Sequence, residues 1–131
     1  MDFIRKARYV AGGHLTNLPD NVPTYTSVIS CKLLRILFLV AAMYSTEVLG
    51  ADISNAFLNA QCAEKVCFKE GPKFNIREGL WVIIVCALYG LKSNGASFRA
   101  HISNTLRTMI FKPKFDNRDV WMRNNFPRLP Q

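Results

Sequence analysis

Residues 80–93 read LWVIIVCALYGLKS and decide the type of fold. The apolar residues 80–88 follow one another without a polar interruption, which is typical of a fully buried strand. Residues 89–92 contain a glycine and predict a turn. From 94 to 111 apolar residues recur at helical spacing, which predicts an amphipathic helix. This stretch therefore predicts a strand, a turn and a helix in succession.

Upstream and downstream of this stretch, helices, strands and loops alternate. The helical segments are predicted at 27–43, with Ser27 or Ser30 as the cap, and at 54–59. The strands are predicted at 5–11, 48–53, 65–70 and 119–123, and the main loop at 16–26. Because strands and helices mix without a regular βαβ repeat, the predicted fold class is α+β.

Length and charge limit the function classes. The chain has 131 residues, of which half are hydrophobic, and 17 Lys+Arg against 9 Asp+Glu give a net charge of +8. This length suits one domain, and the apolar half excludes an intrinsically disordered, collagen-like or mucin-like chain. A folded domain with a basic face predicts a polyanionic partner, most often nucleic acid. A solvated surface without a partner is the alternative.

Targeting and redox signals predict an intracellular protein, cytoplasmic or nuclear. The N-terminus has no apolar core of a signal peptide, so secretion is not expected. The longest apolar run, 33–43, is too short for a transmembrane segment and predicts a buried helix. The four cysteines lack C-x-x-C spacing and lie among apolar neighbours, which predicts buried free thiols in a reducing compartment.

The chemistry-bearing motif is ADISNAFL, residues 51–58. An aspartate at the end of the predicted strand can project into a cleft, where Asp52 would suit a divalent metal in phosphoryl transfer. A lone aspartate at such a position is also a common helix cap, and Asp52 could cap the turn that follows. The residues by themselves leave both interpretations open.

Three blocks occur in order along the chain: KARYVAGG (6–13), DISNAFLN (52–59) and ALYGLKS (87–93). Together they resemble the reverse transcriptase of copia-type LTR retrotransposons, and the similarity extends over residues 3–123. The resemblance implies part of the fingers and the first part of the palm of an RNA-directed DNA polymerase, with an antiparallel sheet and packed helices. Residues 124–131 are predicted to be an unstructured or non-homologous tail.

The resemblance also implies the roles of the DISNAF block. Asp52 matches the first catalytic aspartate, a ligand of both magnesium ions. Ile53 and Ser54 would offer backbone groups to the triphosphate of the incoming deoxynucleotide. Phe57 matches the aromatic gate that excludes a ribose 2′-hydroxyl. A core position is the alternative for Phe57.

The other two blocks supply the remaining contacts that the resemblance implies. Arg8, assisted by Lys6, matches the contact to the triphosphate, for which the arginine fork is suited. Tyr89 and Gly90 match the segment beside the nucleotide and the template base, and Lys92 would lie near the template backbone. The alternatives are a solvated strand face for Arg8 and Lys6, a packed turn residue for Tyr89 and a plain surface lysine for Lys92.

The magnesium site that the resemblance implies is incomplete in this sequence. Two shared magnesium ions need more than one carboxylate, and the family supplies the others as a Tyr-x-Asp-Asp hairpin, whereas no Asp-Asp pair occurs here. We therefore expect a polymerase domain truncated at both ends and inactive by itself. The alternatives are a non-enzymatic basic nucleic-acid-binding or interaction module derived from a retroelement, and a chain that does not fold.

The expected partners are primer–template and deoxynucleotide, with no membrane; the oligomeric state is left open. Binding of RNA or DNA should be weak and salt-sensitive. The cations expected to carry it are Arg5, Lys6, Arg8, Lys92 and Arg99.

Overall fold

The structure, a computed structural model, describes residues 9–17, 20–72, 78–114 and 117–123. The chain divides into two compact units. The first contains the described residues of Met1–Tyr25 and Asn55–His101, and the second those of Thr26–Ser54 and Ile102–Gln131. Residues 5–8 of the strand predicted at 5–11 and the whole of the predicted tail, 124–131, lie outside the described residues.

An antiparallel ribbon forms the centre of the first unit. Strands β1 (Cys67–Lys69) and β2 (Trp81–Ile83) pair with Cys67 opposite Ile83. Beyond an irregular stretch the pairing resumes, because the backbone N–H of Ala87 donates to the carbonyl of Ala60 at 2.9 Å. A 3₁₀ helix, Ala56–Asn59, leads into this second pairing.

Burial in the first unit differs from the expectation of a strand buried on both faces over 80–88. Only Trp81–Ile83 belong to β2, and Trp81 and Ile83 are 70% and 73% exposed, whereas Val82 is half-buried. The ribbon has one covered face and one open face, and an uninterrupted apolar run cannot indicate which residues face outward. The buried apolar side chains of the described residues are Ala60, Ala87 and Leu91.

The second unit contains helix α1 (Cys31–Met43) and a hairpin of strands β3 (Lys112–Lys114) and β4 (Asn117–Met122). The Oγ of Ser30 accepts a hydrogen bond from the backbone N–H of Leu33 at 3.2 Å, so Ser30, one of the two predicted caps, starts α1. Helix α2 (Asn94–Thr108) runs from the residues of the first unit into those of the second. These two α-helices and two small antiparallel sheets of the described residues agree with the α+β class.

The prediction that α1 is buried is wrong. None of its residues is buried, and Ile36, Phe38 and Leu39 are each more than half exposed. Lys32 and Arg35 share one face of the helix, but no other regular element of the described residues packs extensively against its apolar remainder. Within the described residues, extensive packing between regular elements is confined to the β1–β2 ribbon and the β3–β4 hairpin.

Two further boundaries differ from prediction. Residues 48–53 form no strand, and Leu49 beside Gly50 is 90% exposed. Helix α2 ends at Thr108 and not at 111, because Ile110 adopts a left-handed φ of 66° before β3 begins. Strand β3 was not predicted, since a lysine–proline–lysine triplet has low strand propensity.

The four thiols are free, as predicted, but they are not buried. Cys31, Cys67 and Cys86 are exposed and Cys62 is half-buried. Phe68, beside Cys67, is half-buried, and Ala87, beside Cys86, is buried. Because neighbours along an extended chain point to opposite faces, apolar neighbours do not indicate that the cysteine between them is buried. Among the described residues, no helix has both the length and the apolar character needed to cross a membrane.

Alkylation should distinguish Cys62 from the other three cysteines. Burial raises the pKa of the Cys62 thiol, so a smaller fraction is thiolate at neutral pH, and the thiolate is the reactive form. We expect iodoacetamide to modify Cys62 several-fold more slowly than exposed Cys31, with the difference narrowing as the pH rises. Peptide mass spectrometry over time measures both rates. Equal rates in the folded protein at neutral pH would contradict this prediction, and denatured protein serves as the control.

Candidate functional site

Two glycine-containing segments of the first unit approach each other closely. The backbone N–H of Ala11 donates to the carbonyl of Tyr89 at 2.7 Å. A Cβ on Gly13 would overlap the carbonyl oxygen of Gly90, and a Cβ on Gly90 would overlap that of Ala11. Gly90 also has a φ of 93°, in the region that favours glycine. The contact therefore brings the end of the 6–13 block against the turn of the 87–93 block.

A buried carboxylate fixes this turn. Glu64 is 4% exposed, and its Oε1 accepts hydrogen bonds from both the backbone N–H and the Oγ of Ser93, each at 2.7 Å. Its Oε2 accepts from Thr16 Oγ1 at 3.3 Å. Donors therefore compensate the cost of burying the carboxylate. The role of Glu64 was not predicted, because an acid beside Lys65 has the sequence pattern of an ordinary surface glutamate.

Polar side chains close the rest of the turn. The Nζ of Lys92 donates to the carbonyl of Thr16 at 2.8 Å, so the exposed lysine spans back to the N-terminal segment. The Oδ1 of Asn94 accepts from the backbone N–H of Gly95 at 2.6 Å, and its Nδ2 donates to the carbonyl of Leu88 at 3.4 Å. Side-chain hydrogen bonds therefore link this turn to the N-terminal segment through Lys92 and to the first residue of α2 through Asn94.

Phe57 lies in an aromatic cluster of the first unit. Its ring centroid is 4.9 Å from that of Tyr89 and 5.9 Å from that of Phe98, both in edge-to-face arrangements. Asn55, at a left-handed φ of 52°, precedes the 3₁₀ helix that carries Phe57. All three rings are half-buried. Phe57 and Tyr89 therefore pack together, as their core interpretations require, while their contacts to a nucleotide stay predictions.

Asp52, Ile53 and Ser54 belong to the second unit and are exposed. The expectation that Asp52 ends a strand is wrong, since residues 48–51, which directly precede it, form no strand. The capping alternative is also wrong, because Asn55 is the N-cap of the helix that follows and makes no side-chain cap bond. Over the described ranges, no group of three His, Cys, Asp or Glu residues is arranged to hold a metal ion.

The remaining predicted contacts are distributed as follows. Arg5, Lys6 and Arg8 lie outside the described residues. Tyr89, Gly90 and Lys92 lie together on one turn of the first unit, and Arg99 is half-buried on α2. Among the residues predicted to touch a nucleotide or template, the structure thus groups Phe57 with the Tyr89–Gly90 turn.

Comparison with models of known protein families identifies a match over most of the chain. A family model described as "Reverse transcriptase (RNA-dependent DNA polymerase)" matches residues 2–126. Neither a curated protein nor a solved structure matches the chain significantly.

Proposed function

This chain belongs to the reverse transcriptase (RNA-dependent DNA polymerase) family, and we propose that it is the copia-type form found in LTR retrotransposons, comprising part of the fingers and the first part of the palm. Nucleic acid is the substrate class of this family. The observation that carries the proposal is the close contact of Gly13 with Gly90, supported by the bond from Ala11 to Tyr89. It unites two of the three blocks on which the resemblance depends.

The proposed nucleotide contacts follow from that contact. Arg8 and Lys6 precede Gly13 by a few residues in the sequence. They would reach the triphosphate, to which arginine presents a fixed fork of donors. Tyr89 and Gly90 would line the nucleotide and the template base, with Phe57 beside Tyr89 as the gate against a 2′-hydroxyl. The ring contact of 4.9 Å between Phe57 and Tyr89 supports this grouping.

Lys92 is proposed to contact the template with only part of its hydrogen-bonding capacity. Its ammonium already donates to the carbonyl of Thr16, and an ammonium has three donors in total. Two donors therefore remain for a template phosphate while the first holds the turn. Ile53 and Ser54 would offer backbone N–H groups to the triphosphate.

The residues present do not form a complete magnesium site. A two-metal site needs several carboxylates around two ions that are about 4 Å apart. Asp52 is exposed, and the described residues provide no cluster of further ligands. No catalytic step is therefore assigned to magnesium here, and we propose that these 131 residues do not extend a primer by themselves.

A primer-extension assay tests this part of the proposal. Purified protein with a primed RNA template, deoxynucleotides and magnesium should give no product above background, and Asp52→Asn should give the same result. Clear extension that Asp52→Asn abolishes would contradict the proposed inactivity. A commercial reverse transcriptase in the same mixture shows that the template is competent.

Nucleic-acid binding tests the family role separately from catalysis. We expect the unmodified protein (the parent of the variants below) to bind a primer–template weakly. Its affinity should fall steeply as the salt concentration rises, because phosphate contacts release counterions. Fluorescence anisotropy over a salt series measures the slope. Binding that does not change with salt would contradict the proposed phosphate contacts.

A further inference from the structure

The hairpin of the second unit carries exposed cations that none of the three sequence blocks contains. With the end of α2 they form a surface that we name the basic hairpin. Its cations, all exposed, are Arg107, Lys112, Lys114, Arg118 and Arg123. Arg107 donates to the amide oxygen of Asn104 at 3.1 Å, which leaves its positive charge uncompensated by that contact.

Negative charge on the basic hairpin is small. The sequence from 112 to 123 contains two acidic residues, Asp116 and Asp119, against the five cations. Asp119 is the one that the structure describes, and its Oδ2 accepts a hydrogen bond from the Oγ of Ser27 at 2.7 Å. Its backbone N–H donates to Asn117 Oδ1 at 2.8 Å. The five cations therefore face solvent with a clear excess of positive charge, which complements a polyanion.

An aromatic ring lies among these cations. The guanidinium carbon of Arg107 is 5.6 Å from the centroid of the Trp121 ring, within cation–π range. Pro113 pairs with Trp121 across the hairpin. Neighbouring residues on a strand point to opposite faces, so Lys112, next to Pro113, projects from the face opposite Trp121, whereas Arg107 lies against the Trp121 ring. A flat guanidinium beside an indole is a surface on which a nucleobase can stack, and a nucleic-acid strand that crosses the edge of the hairpin brings its phosphates to cations of either face.

We infer that the basic hairpin binds single-stranded nucleic acid. Lys112, Lys114, Arg118 and Arg123 contact successive phosphates, and one base stacks against the Trp121–Arg107 pair. The inference rests on the proposed function for the kind of polyanion. It assigns that polyanion to a surface outside the predicted nucleotide contacts. An anionic membrane would also attract the cations, but it offers no planar base for Trp121.

Charge variants test the phosphate contacts. A labelled oligo(U) of about 16 nucleotides, the upper end of the usual site size, is titrated with the parent and with Lys112→Gln/Lys114→Gln. The slope of log affinity against log salt should become shallower by about 1.4, since each single-strand phosphate contact contributes about 0.7. The matched control, Lys65→Gln/Lys69→Gln, removes the same charge from exposed positions of the first unit and should leave the slope unchanged.

Fluorescence tests the stacked base. The chain has two tryptophans, Trp81 and Trp121, and Trp81 is 70% exposed on β2. In Trp81→Phe the remaining Trp121 should be quenched on addition of oligo(U). In Trp121→Phe the remaining Trp81 should not respond. Trp121→Ala should weaken binding by roughly ten-fold or more, the usual effect of removing one stacking ring.

The outcomes separate this inference from the proposed function. The inference is overturned, and the proposed function stands, if the unmodified protein binds oligo(U) but the hairpin and the control double substitutions change the salt slope equally. Quenching of Trp81 instead of Trp121 has the same consequence. If the unmodified protein binds the primer–template but not oligo(U), the inference alone is overturned. If it binds neither, the proposed nucleic-acid contacts are overturned as well. Hairpin-dependent binding to phosphatidylserine vesicles without binding to oligonucleotides would identify a membrane surface and also overturn the inference.

Discussion

Gly90→Ala is expected to lower the free energy of unfolding by about 2–4 kcal/mol. The φ of 93° costs a residue with a Cβ about 1–2 kcal/mol. The new Cβ would also overlap the carbonyl oxygen of Ala11, and such overpacking costs about 1–3 kcal/mol. Urea unfolding followed by circular dichroism measures the difference.

Gly71→Ala is the matched control for this substitution. No atom lies within 4 Å of the Cβ that it would add, and its φ is not in the left-handed region. We expect a change within about 0.5 kcal/mol, as for ordinary surface substitutions. If Gly90→Ala and Gly71→Ala behave alike, the close contact of the two glycine segments is refuted.

Glu64→Ala is expected to lower the free energy of unfolding by about 2–4 kcal/mol. The substitution leaves the backbone N–H and the Oγ of Ser93 without their acceptor, and Ser93 is 1% exposed. An unsatisfied buried polar group costs about 1–3 kcal/mol, and two such groups are left here. Water that enters the vacated space would reduce the loss, so the sum is not simply additive.

A conservative variant, a control variant and a double substitution make the Glu64 test specific. Glu64→Gln retains an acceptor oxygen for Ser93 and should cost less than Glu64→Ala. Glu78→Ala removes an exposed carboxylate of the first unit and should change stability by less than about 0.5 kcal/mol. In Ser93→Ala the Oγ bond is already absent, so adding Glu64→Ala should cost less than it does in the parent. Full additivity of the two substitutions would show that Glu64 and Ser93 are not coupled.

Regular elements with a strong local signal could be predicted from the sequence. Helix α1 was predictable because no glycine or proline occurs in its apolar run, and Ser30 was one of two suitable caps. Strands β1 and β2 lie within the runs that predicted them. Burial was not predictable from the same runs. An apolar side chain on α1 or β2 is buried only if another surface covers it, and composition contains no information about that surface.

The candidate site, like the fold, has parts that the sequence predicts and parts that it does not. The resemblance identified the blocks around Gly13 and Gly90, but their contact depends on a backbone approach that no local pattern records. Glu64 and Trp121 were missed because each acquires its role through a partner distant in sequence or on another element. Asp52 was the reverse case: its motif was recognisable, whereas the strand assumed to precede it is absent from residues 48–53.

The bonds from Ala11 to Tyr89 and from Lys92 to Thr16 also constrain the order of events on the ribosome. A contact between residues 76 positions apart cannot form until the later residue has emerged from the exit tunnel. The ribbon of β1 and β2 closes a much shorter loop and can form first, since closure of short loops is entropically cheaper. The bonds from the N-terminal segment to the 87–93 turn must therefore form after the β1–β2 ribbon is able to close.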